Sequence, residues 1–169
     1  MRMTFPTVIV RRGGFTLIEL MVAVAVTAIL LGIAVPSLLD VLLGSRLTAH
    51  ANTLVASLQL ARSEAIKRNA VVTVCPSANG TSCTDGSWEQ GWIVLVNDTL
   101  LQAQGAARHG MRITGTASRI DYQPTGLGAT VASLTVCRQT PTVGDQERVI
   151  NTSATGRVSV KKTTAGTCS

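Results

Sequence analysis

Catalysis needs nucleophiles, acid–base pairs or metal ligands held close together, and this chain offers few. Its 169 residues hold four cysteines (Cys75, Cys83, Cys137, Cys168) and two histidines (His50, His109). No Cys-x-x-Cys pair occurs and the histidines lack zinc-ligand spacing, so neither a metal nor a cofactor is expected. The sequence has no Gly-x-Ser-x-Gly elbow, no phosphate-binding glycine loop and no His-Glu-x-x-His helix. Gly126-Leu127-Gly128 lacks the third glycine of a dinucleotide fingerprint. Neither histidine has a nucleophile or carboxylate partner nearby, and the chain is not expected to be an enzyme. Oxidation is the chemistry left to the cysteines. An even number in a chain that reads as exported implies two disulfides. Three connectivities are open; the pairing of neighbours in sequence, Cys75–Cys83 with Cys137–Cys168, is the preferred one.

The next reactive group is a carboxylate in an apolar setting. Leu20 to Leu39 is an uncharged run of 20 residues, about 30 Å as a helix, which matches the hydrocarbon core of a bilayer. Glu19 stands at its start, where an unpaired charge costs a few kcal/mol, so it calls for a cationic partner. Arg2, Arg11 and Arg12 precede the run and no base follows until Arg46. That asymmetry puts the N-terminus in the cytoplasm and the remainder outside. A cleaved secretory signal is the alternative, since Ala23-Val24-Ala25 fits a small-x-small site, but the run exceeds the length of a signal core.

The residues around Glu19 carry a resemblance. Gly13-Gly14-Phe15-Thr16-Leu17-Ile18-Glu19-Leu20, behind a basic leader and before an apolar helix, is similar to the processing site of type IV pilins and type II secretion pseudopilins. The resemblance implies that a prepilin peptidase cuts after Gly14 and methylates Phe15. Glu19 would then pair with the terminal amine of a neighbouring subunit. A buried acid wants a buried cation, and the cut creates one. The resemblance further implies an inner-membrane anchor with the domain in the periplasm, and minor and major pilins or pseudopilins as the other partners.

Two elements must position these groups. Residues 16–68 read as one long helix, interrupted in hydrogen bonding at Pro36. Beyond it, Leu43, Leu47, Ala51, Leu54, Leu58, Ala61 and Ala65 recur at three- and four-residue steps, a stripe for one buried face. Glu64 and Arg68 are set to pair one turn apart. Asn69 and a β-branched run end the helix. Strands are predicted at 70–75, 92–97, 110–113, 118–122, 132–137, 148–151 and 157–161. The fold class is α+β: a long N-terminal helix, transmembrane in its first half, packed on a C-terminal antiparallel β domain. The predicted organisation is a leader over 1–14, a membrane or filament-core helix over 15–39, its amphipathic continuation over 40–69 and a β-rich domain over 70–169.

Ala61-Arg62-Ser63-Glu64-Ala65, Val74-Cys75-Pro76-Ser77, Trp88 and Gly91-Trp92-Ile93-Val94 resemble the GspH/FimT group of minor pilins and minor pseudopilins. The resemblance implies a minor subunit of the FimU/FimT kind that primes a type IV pilus, exposed outside the cell at the tip. The alternative is the minor pseudopilin H of type II secretion. Trp88 and Trp92 read as core residues. Residues 100–169 hold eight basic and three acidic groups. In Gly156-Arg157-Val158-Ser159-Val160-Lys161-Lys162, an extended chain puts Arg157, Ser159 and Lys161 on one face and the valines on the other. The plain reading is a strand with a basic outer face and a valine inner face, charged against edge-to-edge aggregation. The sharper one is sequence-nonspecific capture of double-stranded DNA for uptake. FimT-like pilins use a Gly-Arg-x-Arg segment for this; here Ser159 replaces the second arginine, with Lys161, Lys162, Arg138 and Arg148 as further candidates. Aromatics are only 3% of the chain, which argues against base stacking.

Overall fold

A computed structural model describes residues 14–107, 110–128, 130–138 and 147–163. Helix α1 spans Leu17–Arg68 and continues through Pro36. Its start is a capping box: the Thr16 N–H donates to Glu19 Oε2 (3.4 Å) and the Glu19 N–H donates to Thr16 Oγ1 (3.3 Å). Its end is a Schellman motif. Asn69 takes a left-handed φ of 50°, the Asn69 N–H donates to the Ile66 carbonyl and the Ala70 N–H to the Ala65 carbonyl.

The chain divides into two compact units, Met1–Val41 and Leu42–Ser169. In the first, the described helical side chains are exposed on every face, with large apolar groups from Phe15 to Leu39. An all-round apolar helix is stable in lipid or among like helices, not in water. The second unit contains a core built on the later part of α1. Leu47, Ala51, Leu54, Leu58, Ala61 and Ala65 are at most 1% exposed, while Leu43 is only half-buried. The predicted stripe therefore holds from Leu47 onward.

Among the described residues eight strands follow α1: β1 (Val72–Pro76), β2 (Trp92–Val96), β3 (Thr99–Gln104), β4 (Met111–Gly115), β5 (Ile120–Tyr122), β6 (Ala132–Arg138), β7 (Glu147–Thr152) and β8 (Val158–Thr163). They form two antiparallel four-stranded sheets, one ordered β3-β2-β1-β5 and the other β4-β6-β7-β8. Strand β3 was not foreseen. It follows β2 through a two-residue hairpin, with Val96 opposite Thr99 and both Asn97 and Asp98 at positive φ. The predicted 92–97 strand runs one residue into that turn.

One core joins the helix to both sheets: Val72, Val74, Trp92, Val94, Ile120 and Tyr122 from the first, Ile113, Leu134, Val136 and Ile150 from the second. Both tryptophans are core residues, as read from sequence. Trp92 Nε1–H donates to Ser57 Oγ of α1 at 2.9 Å with both groups buried, and Trp88 Nε1–H donates to the Ala117 carbonyl at 3.0 Å. On the far side of β1 and β2, Cys75, Ile93 and Leu95 form a second small cluster.

Candidate functional site: the anchor terminus and the basic strand ends

The first candidate site is the start of α1. Gly14, Phe15, Thr16 and Glu19 are exposed, and the Glu19 carboxylate folds back on the backbone of its own first turn. Thr16 is the partner that the sequence reading missed. Its signal was present, since Thr-x-x-Glu before an apolar run is a capping-box pattern.

The cysteines come next. Cys75 and Cys83 form the expected disulfide, with 5.6 Å between Cα atoms. The loop it closes is tightly hydrogen-bonded: Asn79 Oδ1 accepts from the N–H groups of Thr81 and Ser82 and from the Ser77 hydroxyl. Cys137 is disulfide-bonded as well, while Cys168 lies outside the described residues. Among the described residues no group of three or more His, Cys, Asp or Glu side chains is arranged to hold a metal.

The five basic candidates do not gather on one surface. Strand pairing fixes the geometry: Arg148 lies opposite Lys162, and Val149 opposite Lys161. Lys162 therefore shares the face of Val158 and Val160, while Lys161 points to the other side. Arg148 is half-buried and donates to Thr48 Oγ1 of α1 (3.2 Å) and to the Glu147 carbonyl (3.1 Å). Arg138 is 7% exposed on β6, two strands from β8, and so drops out of any exposed DNA-binding patch. Arg157 is exposed but precedes β8, about 13 Å of extended chain from Lys161. The valine inner face also needs correction. Val158 packs on the core but Val160 is 45% exposed, because β8 is an edge strand and the core ends short of Val160.

Arg62, which entered the sequence reading only within the Ala61-Arg62-Ser63-Glu64-Ala65 segment, holds the opposite end of the second sheet. Its Nε–H donates to the Gly126 carbonyl (3.0 Å) and its Nη2 to the Thr155 carbonyl (3.2 Å). These bonds fasten two loops to α1. A surface groove beside them is lined by Gln59, Arg62, Ser63 and Arg157. The same guanidinium acts on Tyr122, which is fully buried with no hydrogen-bond partner for its hydroxyl among the described residues. Burial pushes the Tyr122 phenol up to about 12, with Arg62 pulling weakly the other way. At the helix end, the Arg68 guanidinium donating to Glu64, helped by Lys67, holds that carboxyl below its usual range against the effect of burial.

A long helix, apolar all round at its start and amphipathic later, carrying two antiparallel sheets, defines a pilin-like chain. The model of the prokaryotic N-terminal methylation motif matches residues 9–35. That of the type II transport protein GspH matches residues 50–156, more than half of the sequence, and the chain belongs to this family. It is similar in structure to the type IV minor pilin FimU of Pseudomonas aeruginosa, with a TM-score of 0.56 and 20% identity over 69% of this chain and 89% of that one. It is also similar to the minor pseudopilin EpsH from the type 2 secretion system of Vibrio cholerae, with a TM-score of 0.51 and 14% identity over 68% of this chain and 95% of that one. At these identities the likeness is one of fold. No curated protein sequence matches the chain. The family is one of structural subunits rather than enzymes.

Proposed function

We propose that this chain is a minor pilin that takes part in assembling or priming a type IV pilus. The observation that carries the reading is the helix from Leu17 to Leu39, apolar and exposed on all sides, with one carboxylate at its head. Such a helix needs lipid before assembly and sister helices after it. In this reading prepilin peptidase removes residues 1–14 and methylates Phe15. The new amine then gives the Glu19 carboxylate of a neighbouring subunit a cation to face. The N-terminus begins in the cytoplasm and the domain in the periplasm, moving outside the cell when the subunit enters a pilus. Mass spectrometry of the membrane-extracted chain should find Phe15 as its first residue, carrying one methyl group. A mature chain that keeps residues 1–14 would sink the processing step.

The Cys75–Cys83 disulfide and the bonded Cys137 support work in an oxidising compartment, which suits a pilus exposed outside the cell. A subunit of type II secretion is the second reading, favoured by the family model that matches residues 50–156. A deletion strain separates the two. Loss of twitching motility with secretion intact is the expected outcome, and loss of secretion alone would reverse the order. Natural transformation is scored in the same strain. Its loss with pili still present would support DNA capture by this chain, and replacing Arg157, Lys161 and Lys162 together with alanine then tests those residues.

A further inference from the structure

The second sheet has two distinct ends, and the bonds to α1 show which is which. At one end Arg148 of β7 reaches Thr48. At the other, Arg62 holds the loop that follows β7 through the Thr155 carbonyl. Thr48 and Arg62 lie 14 residues apart on the helix, about 21 Å. The Thr48 end carries Arg148, Lys161 and Lys162, and Arg46 stands on the adjoining turn of α1. Arg46, Lys161 and Lys162 are exposed, and among the described residues none of them is paired with a carboxylate. The only carboxylate on β7 or β8, Glu147, is buried. Lys161 and Lys162 straddle the open edge of the sheet, so both can reach a flat surface laid against this end.

This is also the end tied most closely to the apolar run. Thr48 follows Leu39 by nine residues, which span at most roughly 30 Å however the chain turns. Exposed bases within that length of chain from an apolar run suit a surface of lipid phosphates, each contributing about five-fold to binding when the headgroups are anionic. We infer that the Thr48 end of this sheet is a docking rim for anionic phospholipid headgroups, engaged while the helix is stored in the membrane. The inference rests on the membrane-anchor reading of α1. Leaving the bilayer for a filament then also means giving up these headgroup contacts, so the lipid charge sets how readily a subunit is released.

The chain has only three lysines, Lys67, Lys161 and Lys162. Two lie at the rim and one in the last turn of α1, five residues beyond Arg62, with its side chain 74% exposed. The full chain, reconstituted in vesicles, is treated with a membrane-impermeant amine reagent, and labelling of Lys161 and Lys162 is read relative to Lys67. The ratio should fall about five-fold or more in vesicles containing one-third phosphatidylglycerol compared with pure phosphatidylcholine. It should recover at about 1 M salt, where the Debye length shrinks to ~3 Å. Arg46→Gln, which removes an exposed charge, should weaken the protection without abolishing it. Equal ratios in the two lipids would overturn the docking rim. So would protection given by a DNA duplex on neutral vesicles but not by phosphatidylglycerol, an outcome that assigns the bases to nucleic acid. Flotation tests the underlying reading separately: a chain that fails to float with either vesicle overturns the anchor, and the rim with it.

Discussion

At the scale of single residues, Glu19 has two separable properties. Its carboxylate caps the first turn of α1 through Thr16, and its charge stands at the head of an apolar helix. Glutamine at this position still accepts the Thr16 N–H but carries no charge. Glu19→Gln should therefore insert and be processed like the parent yet fail to enter filaments, as read by shearing and immunoblotting of surface fibres. Normal assembly of that variant would leave the carboxylate with capping alone. Tyr122 gives a second residue-scale test. Its folded pKa near 12 lies above the ordinary phenol value near 10, so the fold holds the proton more tightly than the unfolded chain. Its contribution is fully present below pH 10 and is lost between pH 10 and 12, on the order of 2–3 kcal/mol. Denaturant titrations at stepped pH should show the fall in the parent but not in Tyr122→Phe. Because Tyr122 is the only tyrosine, phenolate absorbance follows the same group directly. Tyr122→Phe should also gain about 1 kcal/mol or more at neutral pH by removing a buried hydroxyl without a partner.

At the scale of elements, the helix was legible almost to the residue because its signals are local: an uncharged apolar run, a stripe at three- and four-residue steps, and an asparagine followed by β-branched residues at the stop. The strands were located to within about two residues, but β3 was missed. Its turn is Asn97-Asp98 rather than the usual Asn-Gly, and Thr99–Gln104 lacks the alternation of a half-buried strand because it lies at a sheet edge. Arg62 was illegible for another reason: its two acceptors are backbone carbonyls 64 and 93 residues away. Alternation already separates Lys161 from Lys162, but the burial of Arg138 was illegible, because it depends on where β6 falls in the sheet. The loops that Arg62 fastens touch each other at Gly156. Its φ is +72°, and a Cβ there would come within 2.2 Å of the Gly126 carbonyl oxygen. Gly156→Ala should lower stability by more than about 1 kcal/mol, read as a drop in Tm. An unchanged Tm would mean that the two loops can part at no cost.

At the scale of the whole molecule, the sequence made the class readable through eight residues at the anchor and a handful across 61–96. The comparisons extend that to family membership over residues 50–156. What stayed hidden was the division into two sheets, which depends on pairings far apart in the chain. The same architecture carries a mechanical consequence. α1 is a single covalent element from Leu17 to Arg68, and Leu47, Ala51, Leu54, Leu58, Ala61 and Ala65 are packed into the core that both sheets share. A pull on the anchor enters the domain through those six side chains. It must shear them all against two sheets together, instead of peeling one strand at a time. A fibre subunit built this way bears tension through its hydrophobic core, and its resistance to being drawn out is set by the packing of one helix stripe.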